Sequence, residues 1–301
     1  MKTEYTQNDV RQFLETTEKA NPRSIKQLKE GHNSQALSFE TIEGEKLILR
    51  ISAKEDDFLA DKYAFEHFGE ELLVPRVVEI GHFGKDSYYC ITELAEGKIS
   101  NALTQEEMPD ALPSIHDAFA KIFEMDVSGT AGYGHIDLKT SNAVHTTWKV
   151  ALTADLEDLG VEALKENARN IDLDPVLIDK FVVQFNDNLP YASEIRRLVH
   201  GDLGFDNLLL NNNEVTAVID WARMEYGDWM LDFAKLDFWW PDRFGDSKEF
   251  AEKYGLDGDN IHERIALYWA LTALDTIRFA DKSKNEKIAG WLHEHVSKKL
   301  V

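Results

Sequence analysis

The chain has 301 residues, 43% of them hydrophobic, with 55 acidic against 33 basic side chains for a formal charge of −22. That length predicts about two domains with sizeable cores, and the acidic balance excludes nucleic-acid binding as a main role, since that needs basic surface to neutralise phosphates. One cysteine, Cys90, rules out an internal disulfide and fits a reducing cytoplasm; the longest apolar run, residues 265–274, is too short to span a bilayer, which takes ~20 residues, and no apolar segment follows Met1 as a secretory signal would require.

In chain order, the first features are a turn containing Gly31, Asn33 and Ser34, then β-type segments at 36–42 and 47–51. A turn of Gly, Asn and Ser presents N–H groups and hydroxyls suited to phosphate oxygens. In the second segment Leu47, Leu49 and Ile51 share one strand face, which puts Arg50 on the other. A helix follows around 58–68, then an approach through Pro75 to Val77, Val78 and Ile80, and a strand at 88–92 in which Cys90 is a core position. Composition shifts near Glu93. Beyond Gly97 the pattern is mainly helical: Ile115, Phe119, Ile122 and Phe123 form one stripe. Ile178, Phe181, Val182, Phe185 and Leu189 form another, with Asp174 as N-cap and Pro175 in the first turn. The division falls between residues 1–94 and 95–301, with a connecting hinge at 93–97.

The most informative stretch is Leu198-Val-His-Gly-Asp-Leu-Gly-Phe-Asp-Asn207, followed by Val215-Thr-Ala-Val-Ile-Asp-Trp221. Residues 208–210 and 215–219 read as two antiparallel strands joined by Asn211, Asn212 and Asn213, because Asn tolerates left-handed backbone angles. Such a hairpin brings Asp202 and Asp220 to one end. Asp220 and Asn207 supply oxygen donors for a hard cation such as Mg²⁺, and Asp202, ionised at neutral pH, is suited to accept a proton from a hydroxyl. This is the equipment of phosphoryl transfer. His200 is a structural member of the loop, preceding a Gly that allows a tight turn.

These motifs resemble the aminoglycoside phosphotransferases, small-molecule relatives of protein kinases. A protein kinase would place Arg after the His and Phe-Gly after the metal-binding Asp, where this chain has Gly201 and Trp221. Stretches at 28–39, 47–51, 63–68, 89–91 and 146–148 look like the hygromycin-B-phosphorylating branch. The similarity runs from about Ile25 to Asp275 and is poorest at 149–189, a part that helps decide the substrate.

The resemblance implies a protein-kinase-like, two-lobed α+β fold with a small β-rich N-lobe and a larger, mainly helical C-lobe. It implies an Mg²⁺-dependent kinase using ATP or GTP, with Asp202 as base and Asn207 and Asp220 as metal ligands. Arg50, paired with Asp61, stands where the wider family has a Lys–Glu pair on the phosphates; Gly31, Asn33 and Ser34 lie along the phosphates, and Glu93 and Ala95 lie at the base. Asp228, Trp239 and Asp275 are the expected acceptor contacts, with Asp232 bracing the catalytic loop. The partner is then a cationic small molecule, which the net charge suits, and the enzyme is a cytoplasmic monomer. A kinase of another hydroxylated metabolite, such as an amino alcohol, sugar or macrolide, and a catalytically silent nucleotide-binding homologue are the alternatives.

Overall fold

The computed structural model describes residues 5–17, 20–21, 23–28 and 35–296. Along the chain the elements are α1 (Gln7–Thr17), β1 (Lys26–Gln27), β2 (Gln35–Glu40), β3 (Lys46–Ser52), α2 (Asp56–Phe68), β4 (Val77–Phe83), β5 (Ser87–Glu93) and β6 (Lys98–Ile99). There follow α3 (Met108–Glu124), β7 (Gly134–His135), α4 (Trp148–Leu159), α5 (Val161–Asn170), α6 (Val176–Asn188), β8 (Arg197–Val199), β9 (Leu208–Asn211) and β10 (Glu214–Val218). The last are β11 (Glu225–Gly227), α7 (Met230–Trp239), α8 (Ser247–Tyr254), α9 (Ile261–Ser283) and α10 (Glu286–His295). These elements form two compact units. One gathers the described residues up to Lys121 with Phe205–Arg223, the other Ile122–Gly204 with those of Met224–Val301.

In the first unit an antiparallel sheet runs in the order β1-β2-β3-β5-β4. Leu47, Leu49 and Ile51 are buried on one face of β3 and pack with Leu37, Phe39 and Ile91, while Val10 and Leu14 of α1 close the same cluster. Arg50 therefore faces the other way, as strand alternation requires. The strand expected at 36–42 stops at Glu40, because Gly44 N–H bonds the Thr41 carbonyl in a turn that leaves Ile42 exposed. The helix expected from Phe58 starts earlier, at Asp56, where Asp56 and Asp57 complement the positive end of its dipole. A second sheet, β10-β9-β6, contains the expected hairpin. Asn211 pairs with Glu214, and Asn212 and Asn213 make the turn at φ 52° and 66°. Positive φ at both central residues is what a tight hairpin needs to match strand twist, and Asn supplies it at low cost.

The second unit is helical around a small sheet, β7-β11-β8. α5, α6, α7 and α10 all pack on α9, so that helix is apolar on most of its circumference, with Leu267, Ala270, Ala273, Leu274 and Ile277 inaccessible to solvent. α6 buries Ile178, Phe181 and Phe185, while Val182 and Leu189 sit half-buried at the stripe's edge. Its first N–H, at Val176, bonds the Asp174 carboxylate at 2.9 Å, with Pro175 between them. The whole is a mixed α+β structure. Among the described residues no helix is long and apolar enough to cross a membrane.

Candidate active site

The end of the hairpin that carries Asn207 and Asp220 is built by register. Leu208 pairs with Val218, and Ile219 N–H bonds the Asn207 carbonyl at 3.0 Å, so Asn207 and Asp220 lie at the same open end of the β9–β10 ladder. Asp220 has φ 67°, in the left-handed region that costs a non-glycine residue about 1–3 kcal/mol unless its surroundings impose it. The next residue supplies part of that imposition. Trp221 is fully buried, its indole N–H bonds the Val218 carbonyl at 3.1 Å, and its backbone N–H bonds Asp61 Oδ1 at 2.9 Å.

Asp61 holds a second partner. Its Oδ2 accepts from the Arg50 guanidinium in an ion pair between β3 and α2. One carboxylate thus ties the strand that carries Arg50 to the segment that carries Asp220. Burial would lower the Arg50 pKa, but Asp61, Cys90 and Asp220 outweigh it and hold the guanidinium above its ordinary range. The Phe58 ring lies 5.2 Å from the guanidinium carbon, within cation–π reach. Burial pushes the neighbouring Cys90 thiol up to about 11, so it contributes no charge at neutral pH.

Of the other residues expected at the nucleotide, Gly31, Asn33 and Ser34 lie outside the described residues. Glu93 ends β5 with its N–H bonded to the Arg76 carbonyl at 2.9 Å, and the Leu94 N–H bonds the Lys46 carbonyl at 3.1 Å. Ala95 follows in irregular, half-buried chain. Gly97 has φ 139°, and a Cβ there would lie 2.5 Å from the Leu210 carbonyl oxygen; no other residue allows that approach.

In the second unit β8 leads into the loop at residues 200–202. His200 is fully buried, Gly201 turns at φ 78°, and Asp202 is exposed. Asp232, at the start of α7, accepts the His200 N–H at 2.8 Å and the Gly201 N–H at 2.9 Å through its two oxygens. Lys235, one turn on, donates to the Gly201 carbonyl. The loop backbone is thus held on both its donor and acceptor sides. Burial raises the Asp232 pKa to about 7, opposed by Lys235 and the two amide bonds, with Glu225 adding to the rise. The brace at Asp232 was expected; the Lys235 clamp was not, and its only sequence signal is the three-residue step from Asp232.

The expected acceptor contacts fare differently. Asp228 is completely buried, bonded by Arg264 through Nε at 2.8 Å and a second nitrogen, by the Tyr268 hydroxyl at 2.7 Å and by the Met230 N–H at 3.1 Å. Its oxygens are consumed inside the unit, which leaves it no role at an acceptor. Trp239 is half-buried, with its ring 5.1 Å from Phe238 and 4.9 Å from Trp291. Asp275 is paired with Arg278 on the next turn of α9 at 3.0 Å, and keeps about a quarter of its side chain exposed (27%).

Comparison with known proteins agrees with this architecture. A model of the phosphotransferase enzyme family matches residues 24–268, and the chain belongs to that family. Hygromycin-B 4-O-kinase of Escherichia coli is 32% identical over 244 residues, covering 80% of this chain and 69% of that protein. A thermostable mutant of the aminoglycoside phosphotransferase APH(4)-Ia, crystallised in ternary complex with AMP-PNP and hygromycin B, matches with TM-score 0.80 and 25% identity over 97% of this chain and 98% of that one. The APH(2")-IIia structure with GDP and kanamycin matches at TM-score 0.68 over 97% of both chains; at 16% identity it speaks to the fold alone. The fold is the kinase-like α+β fold of the aminoglycoside phosphotransferases.

Proposed function

We propose that this protein transfers the γ-phosphoryl group of a nucleoside triphosphate to a hydroxyl of an aminoglycoside, with hygromycin B the first acceptor to test. The observation that carries the reading is the Asp61 carboxylate shared between Arg50 and the Trp221 amide, in a chain 32% identical to hygromycin-B 4-O-kinase. Residues 1–94 bind the nucleotide, the 93–97 segment meets its base, and residues 95–301 carry the catalytic loop and acceptor site. The protein acts as a monomer in the cytoplasm.

Each residue's part follows from its chemistry. Asp202, exposed on a loop whose backbone is pinned on both sides, orients the acceptor hydroxyl and takes its proton on a carboxylate oxygen. Arg50 grips the phosphates; its planar fork replaces a lysine's point charge, and Asp61 sets its plane. Asn207 and Asp220 offer an amide and a carboxylate oxygen at one end of a hairpin, a donor set that suits Mg²⁺, which keeps waters and phosphates as its other ligands. When bound, the ion neutralises charge on the phosphoryl group being transferred. Trp239 and Asp275 border the acceptor.

The test is nucleotide consumption by the purified protein with Mg²⁺, ATP and GTP in turn, against hygromycin B and a panel of aminoglycosides. Stimulation by hygromycin B with a mono-phosphorylated product is the expected result. No stimulation by any aminoglycoside overturns the acceptor. Asp202→Asn is expected to lower kcat by roughly 10²- to 10⁴-fold with nucleotide affinity kept; unchanged turnover removes Asp202 from the mechanism.

A further inference from the structure

The peptide bond that precedes Asp202 is held at both of its polar groups. Its carbonyl, on Gly201, accepts from the Lys235 ammonium, and its N–H, on Asp202, donates to His200 Nδ1 at 3.3 Å. Gly201 turns at φ 78° in buried chain, where a carbonyl left without a donor is costly. The two preceding peptide units are held by Asp232, through the His200 and Gly201 N–H groups. Asp232 and Lys235 stand three residues apart on α7, a spacing that puts both on one side of the helix. That helix is firmly seated. Leu231, Phe233, Ala234, Leu236 and Phe238 are buried, and the Phe233 ring meets Trp229 and Phe244 edge to face.

We infer that Lys235 is a positioning residue: by holding the Gly201 carbonyl it fixes the plane of the 201–202 peptide, and with it the direction in which the Asp202 carboxylate leaves the loop. Its consequence for catalysis rests on the reading of Asp202 as the base. Asp202 is exposed, and its Cα–Cβ direction is set by the backbone that the clamp holds. Displacing a reacting group by about 1 Å costs up to about 10²-fold in rate, so a peptide plane free to rotate beneath the base is expensive. An ammonium suits the task, because a charge-assisted bond to a carbonyl is stronger than a neutral one. Asp232 cannot replace it. An ionised carboxylate only accepts, so it holds the loop's N–H groups and leaves the carbonyl to a donor. The two residues are also coupled by charge: Lys235 opposes the rise that burial imposes on the Asp232 pKa, and so favours the ionised form that accepts both amides.

The experiment measures kcat and both KM values with hygromycin B and the preferred nucleotide for wild type, Lys235→Met, Lys235→Arg, Asp202→Asn and the Asp202→Asn/Lys235→Met double variant. Hydrogen exchange of the 198–207 segment is followed by mass spectrometry on the same proteins. Lys235→Met is expected to lower kcat at least roughly tenfold while both KM values stay within about twofold, and Lys235→Arg to recover most of the loss. In the Asp202→Asn background the same change is expected to lower kcat by less than about twofold, since a residue that acts through Asp202 has nothing left to position. A merely structural role costs the same factor in both backgrounds. The segment is expected to exchange at least about threefold faster in Lys235→Met than in wild type. Equal exchange overturns the inference, as do kcat losses that multiply in the double variant. Where Lys235→Met does not fold, Lys235→Gln, with a neutral donor on a shorter arm, takes its place under the same criteria. Faster exchange in a protein that phosphorylates no acceptor keeps the clamp and removes the phosphotransferase reading. Phosphorylation of hygromycin B with kcat unchanged in Lys235→Met does the reverse.

Discussion

The molecule contains two Arg–Asp pairs of the same chemistry in different surroundings. Arg50–Asp61 has side chains 22% and 9% exposed, while Arg264–Asp228 has both at 0%. In the sealed pair every oxygen is satisfied from within, by Tyr268, Met230 and Ser193 besides the arginine. The Trp148 indole extends the network by donating to the Tyr268 hydroxyl at 2.7 Å. In the open pair the arginine keeps an accessible side and lies within the electrostatic reach of Asp220. The sealed pair is closed off inside the fold and the open one leaves a cation partly exposed; residue type does not separate them, and exposure does.

Breaking the sealed pair gives the largest effect. Asp228→Ala strands a buried guanidinium and is expected to cost about 3–5 kcal/mol of stability, read from denaturant unfolding. A loss below 1 kcal/mol would make the two pairs equivalent. Asp61→Asn ranks next: it weakens the hold on Arg50 while retaining an acceptor for the Trp221 N–H. It is expected to raise nucleotide KM about tenfold, with a stability cost of about 1–2 kcal/mol. Arg50→Lys restores the compact charge of the wider family, and we expect a change of nucleotide KM of a few-fold with less than about 1 kcal/mol in stability. Removing a helix cap at the edge of the sealed network sets the scale. Thr147, whose hydroxyl accepts the Val150 N–H at 3.2 Å at the start of α4, costs about 1 kcal/mol when changed to Ala, with nucleotide KM unmoved.

The open pair was legible in the sequence and the sealed one was not. Strand alternation in Leu47-Ile-Leu-Arg-Ile51 puts Arg50 off the core face, and the family resemblance supplied Asp61 on the next helix as its partner. The β9–β10 hairpin was readable locally, since three asparagines between apolar runs dictate the turn. Asp228 misled because an acid beside Tyr226 and Gly227 looks like a ligand contact, and nothing nearby announces that Arg264, on α9, will claim it. Trp239 was expected at the acceptor, and its half-buried ring packs against Phe238 and Trp291, a contact that no local sequence pattern announces.

One carboxylate with two clients has a consequence for inheritance as well as for catalysis. Because Asp61 accepts from Arg50 with one oxygen and from the Trp221 amide with the other, a substitution on α2 that shifts it by a fraction of an ångström alters both neighbourhoods together. If Arg50 grips the nucleotide and Asp220 the cation, linkage makes the coupling mutual, and each ligand shifts the other's affinity by the same factor. Selection acting on donor preference in this enzyme then drags its metal preference along, and lineages that drift in one are expected to drift in both.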